Sequence, residues 1–98
     1  MATTTHVLAE VTIGDLNQFL EVFTGEGRAK RAEHSCRGTQ VFAPAGESGR
    51  VLVLLEWPDL DSFERFRNDP SAPPVMRKGG AQGPPKFTVL ERVAALEG

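Results

Sequence analysis

Residues 51–57 read Val-Leu-Val-Leu-Leu-Glu-Trp, apolar at successive positions rather than at alternating ones. A strand of that kind needs cover on both faces, whereas a half-buried strand turns every second residue to solvent. The demand is heavy for a chain of 98 residues. Such a chain suits one domain, here expected over 1–98, and buries only about two-thirds of the surface its unfolded form exposes. Two layers are within its reach and a third is not. The uncovered face of this strand is therefore expected to lie against a second copy of the chain, as a twofold homodimer.

The neighbouring elements follow from local pattern. Val7, Ala9, Val11 and Ile13 alternate with Leu8, Glu10 and Thr12, which predicts a strand over 7–13. Gly14 stops it, and Asp15 with Gln18 three residues on forms a capping box. The helix that follows sets Leu16, Phe19, Leu20 and Phe23 on one face. Gly25 and Gly27 each cost a helix about 1 kcal/mol relative to alanine. A break is expected there, the helix resuming through Arg28–Glu33 with Ala29 and Ala32 turned inward. Strands are predicted over 39–43 and 51–57, joined as a hairpin by the turn residues of 44–49. Asp59 caps a second helix presenting Leu60, Phe63 and Phe66, which Pro70 closes.

Residues 70–85 hold eight of the chain's seventeen Gly and Pro residues. That density predicts an irregular segment with one helical turn near 75–78. Long loops of this kind are often lids or partner contacts; as a lid, Val75 and Met76 are expected to face inward as an apolar cap, with Arg77 and Lys78 in solvent, and the alternative is a loop that packs on the neighbouring subunit. A last strand is expected over 86–93. The resulting β-α-β-β-α-β order predicts an α+β, ferredoxin-like fold: one antiparallel sheet with its helices on one face.

Several function classes are disfavoured by composition. Eleven Lys and Arg against thirteen Asp and Glu leave a formal charge of −2, a poor match to a polyanion, so no nucleic-acid partner is expected. An RNA-reading sheet would also need aromatics in a basic, Gly-containing strand, which Arg50–Trp57 lacks. No apolar run approaches the ~20 residues of a membrane span, and Met-Ala-Thr-Thr-Thr-His shows no leader pattern. The expected location is cytoplasmic, without a membrane partner. One cysteine and two histidines offer no metal ligand set, and no Gly-rich phosphate loop stands between a strand and a helix. No metal and no cofactor are expected.

The order of elements, the segment Cys36-Arg37-Gly38-Thr39-Gln40-Val41-Phe42, and above all LLEWPDLDSFERFRNDP over 54–70 resemble the antibiotic biosynthesis monooxygenase family of dimeric α/β-barrel proteins. The resemblance covers nearly the whole chain. It implies a homodimer whose sheets close into a barrel, with a ligand cavity between sheet and helices in each subunit. The activities it implies range from cofactor-free oxygenation of phenols and quinols to haem degradation and lactone isomerisation. Haem-degrading members use an Asn, a Trp and a His at positions that match Val11, Phe66 and Met76 here. None of the three can supply the chemistry of that route, in which an imidazole ligates the iron. Ser35 stands where the family commonly has Gly before the Cys, a difference that bears on the turn.

The chemistry-bearing candidates are few. His34 and Cys36, two residues apart, could act as base and nucleophile, but the sequence places no orienting carboxylate. An exposed loop histidine beside a small buried thiol is the plainer reading. Trp57 could stack on a planar substrate or close the core. Glu10 could be a base, or pair with Arg92 or Arg50. Arg28, Lys30, Arg31 and Arg37, interleaved with Glu26 and Glu33, read as a solvated helix face. The substrate pocket is expected to involve Val11, His34, Trp57, Phe66, Val75 and Met76, and no catalytic residue is assigned. The expected function is cofactor-independent, monooxygenase-like action on a small aromatic or polyketide-like molecule. The alternative is a non-catalytic dimeric ligand-binding or stress-response module of the same fold.

Overall fold

Alternation makes β1 (Thr5–Thr12): Val7, Ala9 and Val11 are buried, and Ile13 continues the same face beyond the strand's end. The computed structural model describes residues 4–98; Met1, Ala2 and Thr3, half of the segment read for a leader, lie outside the described residues. Strand β2 (Gly38–Phe42) and β3 (Arg50–Trp57) form the expected hairpin, and β4 (Lys86–Leu90) joins the far side of β1. The sheet order is β2-β3-β1-β4, with every neighbouring pair antiparallel. Helices α1 (Leu16–Thr24), α2 (Glu26–Glu33), α3 (Leu60–Arg67) and α4 (Ala72–Lys78) complete the α+β, ferredoxin-like arrangement.

The core lies between helices and sheet. Register sets Val7 opposite Leu55, Ala9 opposite Val53 and Val11 opposite Val51, and all six are buried. Trp57 and Phe63 are fully buried. The Trp57 ring sits 5.8 Å from that of Phe63 and 5.1 Å from that of Phe66, while Phe63 meets Phe87 edge-on at 5.2 Å. Aromatic pairs of this kind contribute about 0.5–1.5 kcal/mol each beyond their burial.

The other sheet face carries the second apolar row of β3. Leu52 and Leu54 are half-buried there, with Leu8 across from Leu54 and Phe42 across from Leu52. Phe42 is 50% exposed. Six apolar residues in seven thus serve two faces, one filled by this chain's own helices and one left apolar at the surface.

Several local expectations give way. Gln18 does not close a capping box: its Nε2 donates to the Lys78 carbonyl at 2.9 Å, and Asp15 caps α1 through the Asn17 N–H alone. The helix does break at Gly25, but Ala29 and Ala32 are exposed and Arg31 is the residue turned inward. Residues 72–78 are a helix rather than an irregular stretch. Pro73 and Pro74 fall in its first turn, where the missing N–H groups would have had no intrahelical partner. Strand β4 ends at Leu90, which pairs with His6 near the start of β1, so the remaining residues to 93 have no ladder to join. Glu10 meets Arg50 at 3.6 Å and Lys86 at 3.7 Å; Arg92 lies instead 3.4 Å from His6 Nε2.

Candidate functional site

A cavity of about 70 Å³ opens between the helices and the inner sheet face. Ala9, Val11, Val53, Leu55 and Phe87 form its floor, so the alternation that builds the sheet also makes the floor apolar. Phe19 and Phe23, stacked with centroids 5.0 Å apart, wall one side from α1. Phe66 from α3 and Val75 and Met76 from α4 wall the other. Of the six residues expected at the pocket, Val11, Phe66, Val75 and Met76 line this cavity, whereas His34 and Trp57 stand behind its wall. Trp57 packs on the far side of Phe66 and closes the core.

His34 caps α2 with its ring edge-on to Phe66 at 6.0 Å. Its Nε2 lies 2.9 Å from Asp69 Oδ2, so the orienting carboxylate comes from the loop after α3, thirty-five residues away. The Asp69 carboxyl is held well below the usual carboxylate range, first by the Ser71 hydroxyl, then by His34 and the Ser71 N–H. Cys36 is turned from His34: its thiol lies 3.5 Å from the carbonyls of both Gly38 and Glu56. Base and nucleophile are therefore not assembled as a pair. Glu33, His34 and Asp69 bring three donor atoms within 4.8 Å, but the Lys30 ammonium already sits among them, 2.7 Å from Glu33 and 3.7 Å from Asp69.

Two cations reach the cavity wall, Lys30 and Arg31. The hydrogen bond to Glu33 raises the Lys30 pKa, so its charge is committed. Arg31 is only 7% exposed. Its guanidinium lies 3.8 Å over the Phe23 ring and donates to the Phe23 carbonyl at 3.0 Å. Burial pulls its pKa down, yet an arginine remains charged. Among the described residues no carboxylate pairs with it. Gly27 makes the room: a Cβ there would lie 3.1 Å from the Arg31 Nη1. Gly27 and Arg31, four residues apart, share a face of α2, and the break at Gly25 folds that face back beside Phe23 of α1. No side chain in the cavity wall among the described residues carries a carboxylate, imidazole, thiol or hydroxyl.

The model of the antibiotic biosynthesis monooxygenase family matches residues 4–73. The chain is similar to SnoaB, a cofactor-independent oxygenase from Streptomyces nogalater, with a TM-score of 0.77 at 17% identity over 97% of this chain and 98% of that one. It is also similar to a monooxygenase from the gene ActVA-Orf6 of Streptomyces coelicolor, solved in complex with nanaomycin D. That TM-score is 0.71 at 13% identity, over 99% and 94% of the two chains. At such identities the likeness concerns the fold. Over 84 residues the chain is 33% identical to phosphoglycerate kinase of Helicobacter pylori, covering 84% of this chain and 20% of the kinase. The chain thus spans about a fifth of the curated relatives it matches.

Proposed function

This chain belongs to the antibiotic biosynthesis monooxygenase family, and from that premise we propose that it is a cofactor-independent monooxygenase acting on a small aromatic molecule. The observation that carries the proposal is the cavity itself: an apolar chamber with two cations at its wall and no acid, base or nucleophile facing it among the described residues. Such a chamber suits a reaction whose electrons come from the substrate. An aromatic compound with an activated methylene, such as an anthrone, reacts as its anion and passes an electron to dioxygen. The radical pair recombines to form the carbon–oxygen bond, and the hydroperoxide then loses water. One oxygen atom stays in the product as a carbonyl, and the other leaves as water with the two hydrogens of the methylene. The protein contributes shape and exclusion of bulk water.

Size narrows the substrate class. A cavity that admits benzene measures about 150 Å³, roughly twice the one here, so a ring enters only as wall side chains move. Met76, with its flexible unbranched side chain, is suited to yield. Helix α4 as a whole is tied down through Gln18 to the Lys78 carbonyl and through the Gly14 N–H to the Gly80 carbonyl at 3.3 Å. Single-ring and compact fused-ring compounds are favoured over extended polyketides.

The functional unit we propose is a homodimer in which the half-exposed Leu8, Leu52, Leu54 and Phe42 face a second copy. Oxygen uptake with a panel of quinols and anthrones tests the activity. One dioxygen consumed per substrate, undiminished by chelator dialysis, is the expected result. Tight ligand binding without uptake across the panel would favour the non-catalytic binding module.

A further inference from the structure

We propose that the groove between β2 and the α1–α2 pair is a second ligand site, one that takes the phosphate of a small organic phosphate monoester and rests the ester's apolar part on its wall. The groove shares only Phe23 and Arg31 with the cavity described above, and the proposal does not depend on the oxygenase reading.

The groove measures about 510 Å³, within the range of roughly 300–1,000 Å³ usual for small-molecule sites. Strand β2 is an edge strand, and its Thr39 and Val41 line the groove opposite Leu20 and Phe23 of α1. Three arginines, Arg28, Arg31 and Arg37, complete the wall, which holds no carboxylate among the described residues. Elsewhere Lys30, Arg50, Arg65, Lys78 and Lys86 each reach a carboxylate; among the described residues none of the three groove arginines does. Asp59, a carboxylate that Arg37 does influence, is committed to the Ser62 N–H as the cap of α3. Arg31 is buried against the Phe23 ring and bonded to the Phe23 carbonyl, so its part is charge at the base of the groove. Burial lowers its pKa first, and Cys36 and Arg28 then act on it in opposite directions, which sets both beside the guanidinium. Arg28 and Arg37 are exposed and bring the donors. Three like charges around one recess concentrate a positive field. A phosphate dianion meets such a field with three strong acceptor oxygens, enough for more than one guanidinium fork. Leu20, Phe23 and Val41 would take the apolar part of an ester, which inorganic phosphate lacks.

Cys36 tells the two chambers apart, because its side chain lines the groove and not the cavity. Calorimetric titration of phenyl phosphate, inorganic phosphate and benzyl alcohol into the full chain separates charge from ring. Phenyl phosphate should bind about tenfold or more tighter than either of the others, weaken as salt is added, and slow the reaction of Cys36 with the neutral reagent dithiodipyridine. Arg28→Gln together with Arg37→Gln, both at exposed positions, should weaken phenyl phosphate about tenfold or more and leave benzyl alcohol unchanged. Should the double variant fail to fold, Arg37→Gln alone decides. No binding of phenyl phosphate, or no preference for it over benzyl alcohol, would overturn the proposal. So would undiminished binding by the arginine variant, which would return these arginines to a solvated helix face. Inorganic phosphate bound as tightly as phenyl phosphate would overturn the ester. Binding that leaves the Cys36 rate unchanged would put the ligand in the cavity and overturn the groove. If Cys36 does not react with the reagent at all, the amide resonances of Thr39 and Val41 make the same assignment: shifts under phenyl phosphate support the groove, and their absence overturns it.

Discussion

Ser35 is the described non-glycine residue with a positive φ, 69°, in the turn between α2 and β2. The left-handed region costs an L-residue about 1–2 kcal/mol. Glycine would relieve that cost and return about 0.4–1 kcal/mol of it through a freer unfolded chain. Ser35→Gly should therefore stabilise the fold by up to about 1 kcal/mol, measured as a higher urea midpoint with unchanged slope. A lower midpoint would mean that the serine hydroxyl, not the turn, governs the site. At this scale the sequence was legible only in part. The departure at Ser35 from the usual glycine points to the turn, and Val11, Phe66, Val75 and Met76 line the cavity because strand alternation and helical spacing set them on inward faces. Arg31 is not legible, because interleaved charges on a short helix look solvated until Gly27 and Phe23 are seen to make room for one of them. Asp69 escaped for a different reason: its partner His34 is far away in sequence, and only the packing of α2 beside the loop after α3 joins them.

Elements were legible wherever the local signal and the tertiary one agree. Strand alternation in β1 and the Asp59 cap of α3, which accepts the Ser62 N–H at 2.7 Å, are of that kind. Helix α4 is the opposite case, since proline and glycine read as breakers until their places in the first turn and at the cap are known. Two carboxyls sit at element ends, and both are held below the ordinary range. For Asp59 the chief cause is the Ser62 N–H, and for Asp69 the Ser71 hydroxyl. Depressed folded values mean that each stabilises the protein above the unfolded pKa of about 3.9, and that this contribution is lost as pH falls below it. Asp69→Asn and Asp59→Asn should each lower the thermal midpoint at pH 7 and leave a shallower loss of stability below about pH 4. An unchanged acid profile would show that these contacts do not carry it. For α4 itself, Val75→Ser with Met76→Ser should keep the helix and weaken ring-ligand binding about tenfold. If the double variant dissociates into monomers whose binding per chain is unchanged, α4 is an interface element and not a wall of the pocket.

The whole molecule follows from the strand over 51–57. Its inner row, Val51, Val53, Leu55 and Trp57, is buried by this chain's own helices, and its outer row is not. Light scattering at micromolar concentration should give twice the 10.6 kDa of one chain. Leu54→Lys together with Phe42→Lys should return it to a single mass while leaving the inner core folded, because both residues lie on the outer face. A single-chain mass in the unmodified protein would remove the need for the second copy. Isotope labelling tests the proposed oxygen chemistry of the cavity most directly. Chelator-dialysed protein under isotopically heavy oxygen gas, with an anthrone that it turns over, should place one heavy atom in the product carbonyl for each dioxygen consumed. Product that takes its oxygen from water, or that forms only after a metal or flavin is restored, would contradict the account.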